Sequence, residues 1–257
     1  MDLLLKHENT GLLEDNNMRI ISWNINGLLS CIKNHSFLPV ELLKPDVICC
    51  QETRTNQQPE AIKGYHHYWT QTYGSHYGGL LTMSKEPASR IWYGVDVQKI
   101  DEEHRILVTE FSQAIVVNCY APRMGEKLSR VDFRKEWDEA LMGMVLRLQT
   151  LGKPVIVCGD MNVARLDIDM YQSERNRYEQ EGFLTAAQSD VETFLDQGYV
   201  DAFREKHPTQ KDSYTWWSSR FAKRSSGEGI RLDYIFIPTQ IAGKIEDVRQ
   251  VQGIRDS

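Results

Sequence analysis

No run of apolar residues in this sequence approaches the roughly 20 that a membrane-spanning helix needs. The first seventeen residues build none either, because Asp2, Glu8, Glu14 and Asp15 interrupt the short Leu3–Leu5 run before a secretory leader can develop. Cysteine is scarce: Cys31, Cys49, Cys50, Cys119 and Cys158 make five in 257 residues, with no Cys-x-x-Cys pair. That spacing excludes the usual structural zinc sites and dithiol redox motifs. The five thiols sit mostly inside apolar runs, so buried, reduced cysteines are expected. An intracellular setting follows as an expectation, cytoplasmic or at the nucleoid in a prokaryote and nuclear in a eukaryote. Positive charge is also in deficit. Thirty Lys and Arg face 36 Asp and Glu, a net charge of −6 with a pI of about 5.7. The broad basic footprint of a protein that holds duplex DNA by charge alone is therefore missing. A local patch such as Arg220, Lys223, Arg224 and Arg231 remains able to meet phosphates. There is no fixed-period repeat and no low-complexity tract.

What is present suits one large α/β domain: 41% hydrophobic and 26% charged residues over this length. Apolar runs read as buried strands at Met18–Trp23, Asp46–Cys50, Gly79–Met83, Ile106–Phe111, Ala114–Cys119, Val155–Cys158 and Leu232–Ile237. Phe133, Trp137, Leu141, Met144 and Leu148 recur at helical spacing after a cap at Ser129, with Gly152 as the stop. A second helix is expected from a capping box at Thr185–Gln188 to Gly198. Consecutive strands mixed with helices predict two packed sheets flanked by helices rather than one parallel sheet. Ser218 to Gly229 reads as an exposed loop.

The chemistry gathers where the apolar runs stop. Asn24 and Asn26 follow the first run, Glu52 the second, Asn118 and Tyr120 the fifth, Asp160 and Asn162 the sixth. Ligands of layered α/β proteins bind at strand ends, so these side chains are expected to converge. Any one of them alone would be ordinary turn chemistry. Glu52 is harder to dismiss, since a carboxylate two residues after a wholly apolar run needs a cation or donors. Oxygen ligands Glu52 and Asn26, without a Cys or His pair, suit a hard cation, Mg²⁺ or Mn²⁺. Asp160 can orient or deprotonate a water, Asn162 can hold a phosphate oxygen, and Tyr120 can donate to the same phosphate. Asp233 begins its run and reaches this mouth only if its strand runs in the opposite direction.

The segments WNINGL at Trp23–Leu28, PDVICCQET at Pro45–Thr53, NCYAP at Asn118–Pro122, CGDMN at Cys158–Asn162 and RLDY at Arg231–Tyr234 stand in one order. As a set they resemble the exonuclease III family of AP endonucleases, from about Met18 onward. The resemblance implies a four-layered α/β sandwich that cleaves DNA 5′ of abasic sites with a divalent metal, and a 3′ exonuclease activity. It implies metal ligation by Glu52 and Asn26, with Asn24 supporting the site and Tyr120 on the phosphate. Asp160 and Asn162 would position and activate water, and Asp233 would match a carboxylate that orients a histidine. Tyr214 to Trp217 resembles the wall of the abasic-sugar pocket, with Trp216 lining it and Trp217 packed inside.

Three positions depart from the family pattern. Arg123 stands where the family has Asn after Tyr-x-Pro, Ile230 replaces a pocket aromatic, and the chain stops at Asp256 and Ser257, where the family continues through Ser-Asp-His into a last apolar strand. The expectation is a domain over residues 18–257 cut short before its last motif, with slowed turnover and an exposed sheet edge, and residues 1–17 as a flexible extension. The expected partner is damaged double-stranded DNA, bound by a monomer through Arg123, Trp216, Arg220, Lys223 and Arg224, with no membrane. Alternatives are an impaired relative that binds DNA or protein without cutting, or another phosphodiesterase of the wider superfamily.

Overall fold

The computed structural model describes residues 1–5, 17–57, 62–72, 78–180, 191–218 and 223–251. Two six-stranded sheets carry the fold. The first has the order β14-β1-β2-β3-β5-β4 and is made of β1 (Asp2–Leu5), β2 (Met18–Asn24), β3 (Val47–Gln51), β4 (His66–Trp69), β5 (Leu80–Ser84) and β14 (Ile245–Arg249). The second has the order β10-β13-β9-β8-β7-β6, from β6 (Arg90–Tyr93), β7 (Ile106–Glu110), β8 (Ile115–Tyr120), β9 (Val155–Asp160), β10 (Tyr199–Asp201) and β13 (Asp233–Pro238). A separate ribbon pairs β11 (Trp216–Trp217) with β12 (Gly229–Ile230).

The apolar runs alternate between two cores, which is why they read as continuous. Ile20 and Cys49 face the layer between the sheets with Val116, Ile156 and Ile235, while their neighbours Ile21 and Cys50 face outward beneath α1 (Leu28–Lys33) and α2 (Leu38–Glu41). On the far side, Val117, Val157 and Phe236 lie under α4 (Val131–Gln149), which follows the short α3 (Gln98–Asp101) and buries Trp137, Leu141, Met144 and Leu148. Each such side chain contributes roughly 1.5–3 kcal/mol when fully buried. The periodicity thus located α4, though Arg130 rather than Ser129 is its cap and neither supplies a side-chain bond. The result is the expected four-layered α/β sandwich.

Each sheet contains a single parallel pair, β2 with β3 and β8 with β9, and every other ladder is antiparallel. The carboxyl ends of these four strands meet at one mouth. β13 runs antiparallel to β9 and places Asp233 opposite Asp160, which is the reversed direction that Asp233 required. Gly159 allows the close pairing of β9 with β8: its φ is 149°, and a Cβ there would lie 1.8 Å from the Cys119 carbonyl oxygen.

Several expectations change. Asp2–Leu5 is not a loose extension but β1, paired with β14 on one side and β2 on the other, with Leu3 wholly buried. Within the expected loop from Ser218, residues Lys223–Ser226 form a short helix. The capping box at Thr185–Gln188 lies outside the described residues, and residues 191–196 are helical. All five cysteines are buried thiols outside any disulfide. Among the described residues no helix is long and apolar enough to cross a membrane.

Candidate active site

Asn24, the last residue of β2, ties the mouth together. Its Nδ2 donates to Glu52 Oε1 and to Asp160 Oδ2, at 2.9 Å each, and its Oδ1 accepts from the Asn26 backbone at 3.1 Å. One amide thus joins the exits of three strands from both sheets. Beneath it, Gln51 Nε2 donates to Asn118 Oδ1 at 2.8 Å, and Asn118 Nδ2 donates to the Cys50 and Leu81 carbonyls at 3.2 Å. These buried amide bonds link the two sheets.

Asn26, Glu52, Arg54 and Asn162 all lie in the left-handed backbone region, with φ of 49°, 55°, 52° and 51°. That region is ordinary for Asn but uncommon for Glu and Arg, and such conformations collect at functional sites. Glu52 Oε2 accepts from Arg54 Nε at 3.0 Å and from a closer second guanidinium nitrogen. The Asp160 carboxylate is held on its other oxygen by the Asn162 backbone at 2.8 Å. Thr215 Oγ1 accepts from the Leu232 and Asp233 amides at 3.0 and 3.1 Å, which fixes the start of β13.

Burial would raise the Glu52 carboxyl, but the hydrogen bonds from Asn24 and Arg54 and the Arg54 charge outweigh it and hold the group below its ordinary value. Asp160 is different. Burial, followed by the charge of Asp233, pushes it up to about 7, against the opposing bonds from Asn162 and Asn24. Burial takes Asp233 up to about 6, with a Thr215 hydrogen bond opposing. Its Oδ1 is buried with no hydrogen-bond partner among the described residues. Burial also raises the Tyr120 phenol, as do the charges of Glu52 and Asp160, so it stays a donor. Arg105 lies over the Tyr120 ring at 4.6 Å.

Asn24, Asn26, Glu52, Arg123, Asp160, Trp216 and Asp233 line one cavity of about 510 Å³. Tyr120 and Asn162 stand behind this lining, Tyr120 hydrogen-bonded to Glu52 and Asn162 to Asp160. The structure therefore brings together most of the residues singled out in the sequence. Arg224 borders the adjoining cavity and lies 5.1 Å over the Trp217 ring. Two readings need correction. Trp217 is half-buried and lines both cavities rather than packing inside, because the β11–β12 ribbon stands apart from the two sheets. Arg231 meets no phosphate: it is fully buried and paired with Asp169 and Asp201. Arg220 and the Lys223 side chain lie outside the described residues. Arg54, Thr215 and Arg177 also line the cavity and were missed. The position of Arg54 two residues after Glu52 was the one available signal.

The donor set fits a hard cation. Among the described residues no three His, Cys, Asp or Glu side chains gather at metal-binding distance, but Mg²⁺ takes only one or two carboxylates and keeps several waters. Glu52 and Asn26 supply such a set.

The Endonuclease/Exonuclease/phosphatase family matches residues 21–244. An exodeoxyribonuclease of Bacillus subtilis is 36% identical over 90% of this chain and 92% of its own length. A DNA-(apurinic or apyrimidinic site) endonuclease of Dictyostelium discoideum is 36% identical over 91% of this chain and 66% of its own. The crystal structure of an AP endonuclease from Leishmania major superposes with a TM-score of 0.85 at 25% identity, covering 99% of this chain and 90% of that one. With those matches joined to a mouth where Asn24, Glu52, Asp160 and Asp233 meet, the chain belongs to the endonuclease/exonuclease/phosphatase family, in its exonuclease III and AP endonuclease branch, and is a hydrolytic nuclease.

Proposed function

We propose that this chain, acting as a monomer on damaged double-stranded DNA, hydrolyses the phosphodiester on the 5′ side of abasic sites, with a 3′-to-5′ exonuclease activity in the same site. The observation that carries this reading is the Asn24 bridge, which brings Glu52 and Asp160 to one point facing a cavity walled by Trp216 and three arginines. Glu52 and Asn26 would hold Mg²⁺ or Mn²⁺, and the bound ion would neutralise charge on the phosphoryl and leaving oxygens.

Asp160 orients the attacking water and takes its proton. The water oxygen bonds to phosphorus as the bond from phosphorus to O3′ breaks. A 3′-hydroxyl and a 5′-phosphate remain. Tyr120 donates to the phosphate, and Asp233 lies across the ladder from the base. Trp216 forms the apolar wall against which an extruded sugar without its base fits. Arg224, beside Trp217, contacts the DNA backbone.

The test is incision of an abasic-site duplex with Mg²⁺, with and without chelator, beside Glu52→Ala. Metal-dependent 5′ incision lost on substitution is the expected result. DNA binding with no incision by either protein would overturn it in favour of a binding module, and hydrolysis of a lipid or inositol phosphate but not DNA would move the chain to another branch.

A further inference from the structure

Four arginines border the two adjoining cavities at the mouth, and three are already engaged. Arg54 is held by Glu52. Arg177 places Nε and a terminal nitrogen on Glu174 Oε2 at 3.0 and 2.6 Å. Arg224 lies over the Trp217 ring. Arg123 differs. Among the described residues no carboxylate lies within ion-pair distance of it, and its one hydrogen bond runs from Nε to Asn162 Oδ1 at 3.3 Å. An arginine anchored through Nε keeps both terminal nitrogens on one free edge, the planar fork that matches two phosphate oxygens.

Asn162, by contrast, is tied to three neighbours. Its backbone N–H is used on Asp160 Oδ1 and its Nδ2 on the Ala121 carbonyl, both at 2.8 Å, while its Oδ1 receives Arg123. The loops that carry the pair are locked together from below. Buried Arg134 donates from one nitrogen to the Pro122 carbonyl at 3.1 Å and to the Met161 carbonyl at 2.8 Å. Both carbonyls directly adjoin the two residues.

We propose that Arg123 grips the non-bridging oxygens of the scissile phosphate, and that Asn162 is the residue that positions it. The identity of the anion rests on the phosphodiesterase reading above; the assignment to Arg123 rests on its free edge. A fixed cation there meets charge that grows as the water adds and O3′ departs, where it stabilises the transition state more than bound substrate.

Two measurements decide it. In single-turnover and steady-state incision, Arg123→Gln lowers kcat by about 100-fold or more, with KM within about threefold and an unchanged Tm, since the side chain is exposed. Arg123→Lys restores part of that loss, keeping the charge without the fork. Asn162→Ala loses less, and adds nothing to Arg123→Gln in the double variant. In binding assays with Ca²⁺, duplexes carry either a phosphate or an uncharged methylphosphonate at the scissile position alone. The parent prefers the phosphate, and Arg123→Gln shows a smaller preference. An Arg123→Gln protein that keeps kcat within about threefold, or keeps the full preference, overturns the inference. So does an Asn162→Ala protein that loses more. Binding of duplex without incision by the parent overturns the nuclease reading, and the methylphosphonate comparison then decides Arg123 by itself.

Discussion

Asp160 shows what the site does to a single residue. A carboxyl whose pKa rises from 3.8 to about 7 on folding binds its proton more tightly in the folded chain. Its contribution to stability is therefore complete below the unfolded value and is lost as pH rises through about 7. Asp160→Asn removes that dependence. In chelator, its Tm should exceed that of the parent by more near pH 8 than near pH 4, a gap of order 2–4 kcal/mol in stability. Equal differences at the two pH values would remove Asp160 as the group responsible. Incision should rise with pH through about 7 as the base ionises, since the unprotonated form accepts the proton of the water. Glu52 and Asp160 were legible in the sequence because each closes a wholly apolar run. Thr215 was not, because its role lies in two backbone N–H groups seventeen and eighteen residues later, where β13 begins.

Elements were legible in proportion to their burial. The strands buried on both faces, β3, β7, β8, β9 and β13, were all anticipated within one or two residues at each end. β4 and β6 at the sheet edges and the alternating β14 were not, since half their side chains meet solvent and leave no apolar run. β1 is the informative exception: four residues that read as an extension hold a place inside the first sheet. Leu3→Ala should cost about 2–4 kcal/mol in urea unfolding, and a value near zero would show β1 to be dispensable. The segment leading into β13 depends on a buried network instead. Arg231 bonds Asp169 at 2.8 and 3.0 Å and Asp201 at 2.6 Å, while Arg204 also reaches Asp169. Arg231→Met should therefore destabilise by about 3–5 kcal/mol, because two buried carboxylates lose a cation. Asp169→Asn added to Arg231→Met should recover part of that loss, and no recovery would mean that packing against Tyr234 and Phe203, not charge, is what Arg231 supplies.

The whole molecule carries a net charge of −6 yet gathers arginines at the mouth. Binding of duplex should weaken as salt rises, with a slope of about 0.9 per phosphate neutralised. Arg224→Ala should reduce that slope by about one contact, measured by anisotropy across a salt series, without changing the rate of bound substrate. An unchanged slope would place Arg224 off the DNA path.

The chain alone determined the layered α/β class, the central strands and most residues of the candidate site, because a buried strand must be apolar throughout and a charged residue at its end must have a reason. Tertiary structure decided what no local pattern encodes. The parallel pairs of two different sheets end at one point, so that a single amide of Asn24 reaches both Glu52 and Asp160. Pairing across the sheets also drew Asp2–Leu5 between β2 and β14 and buried Arg231. Free guanidiniums and paired ones look alike in sequence, and only the distances between side chains separate Arg123 from its neighbours.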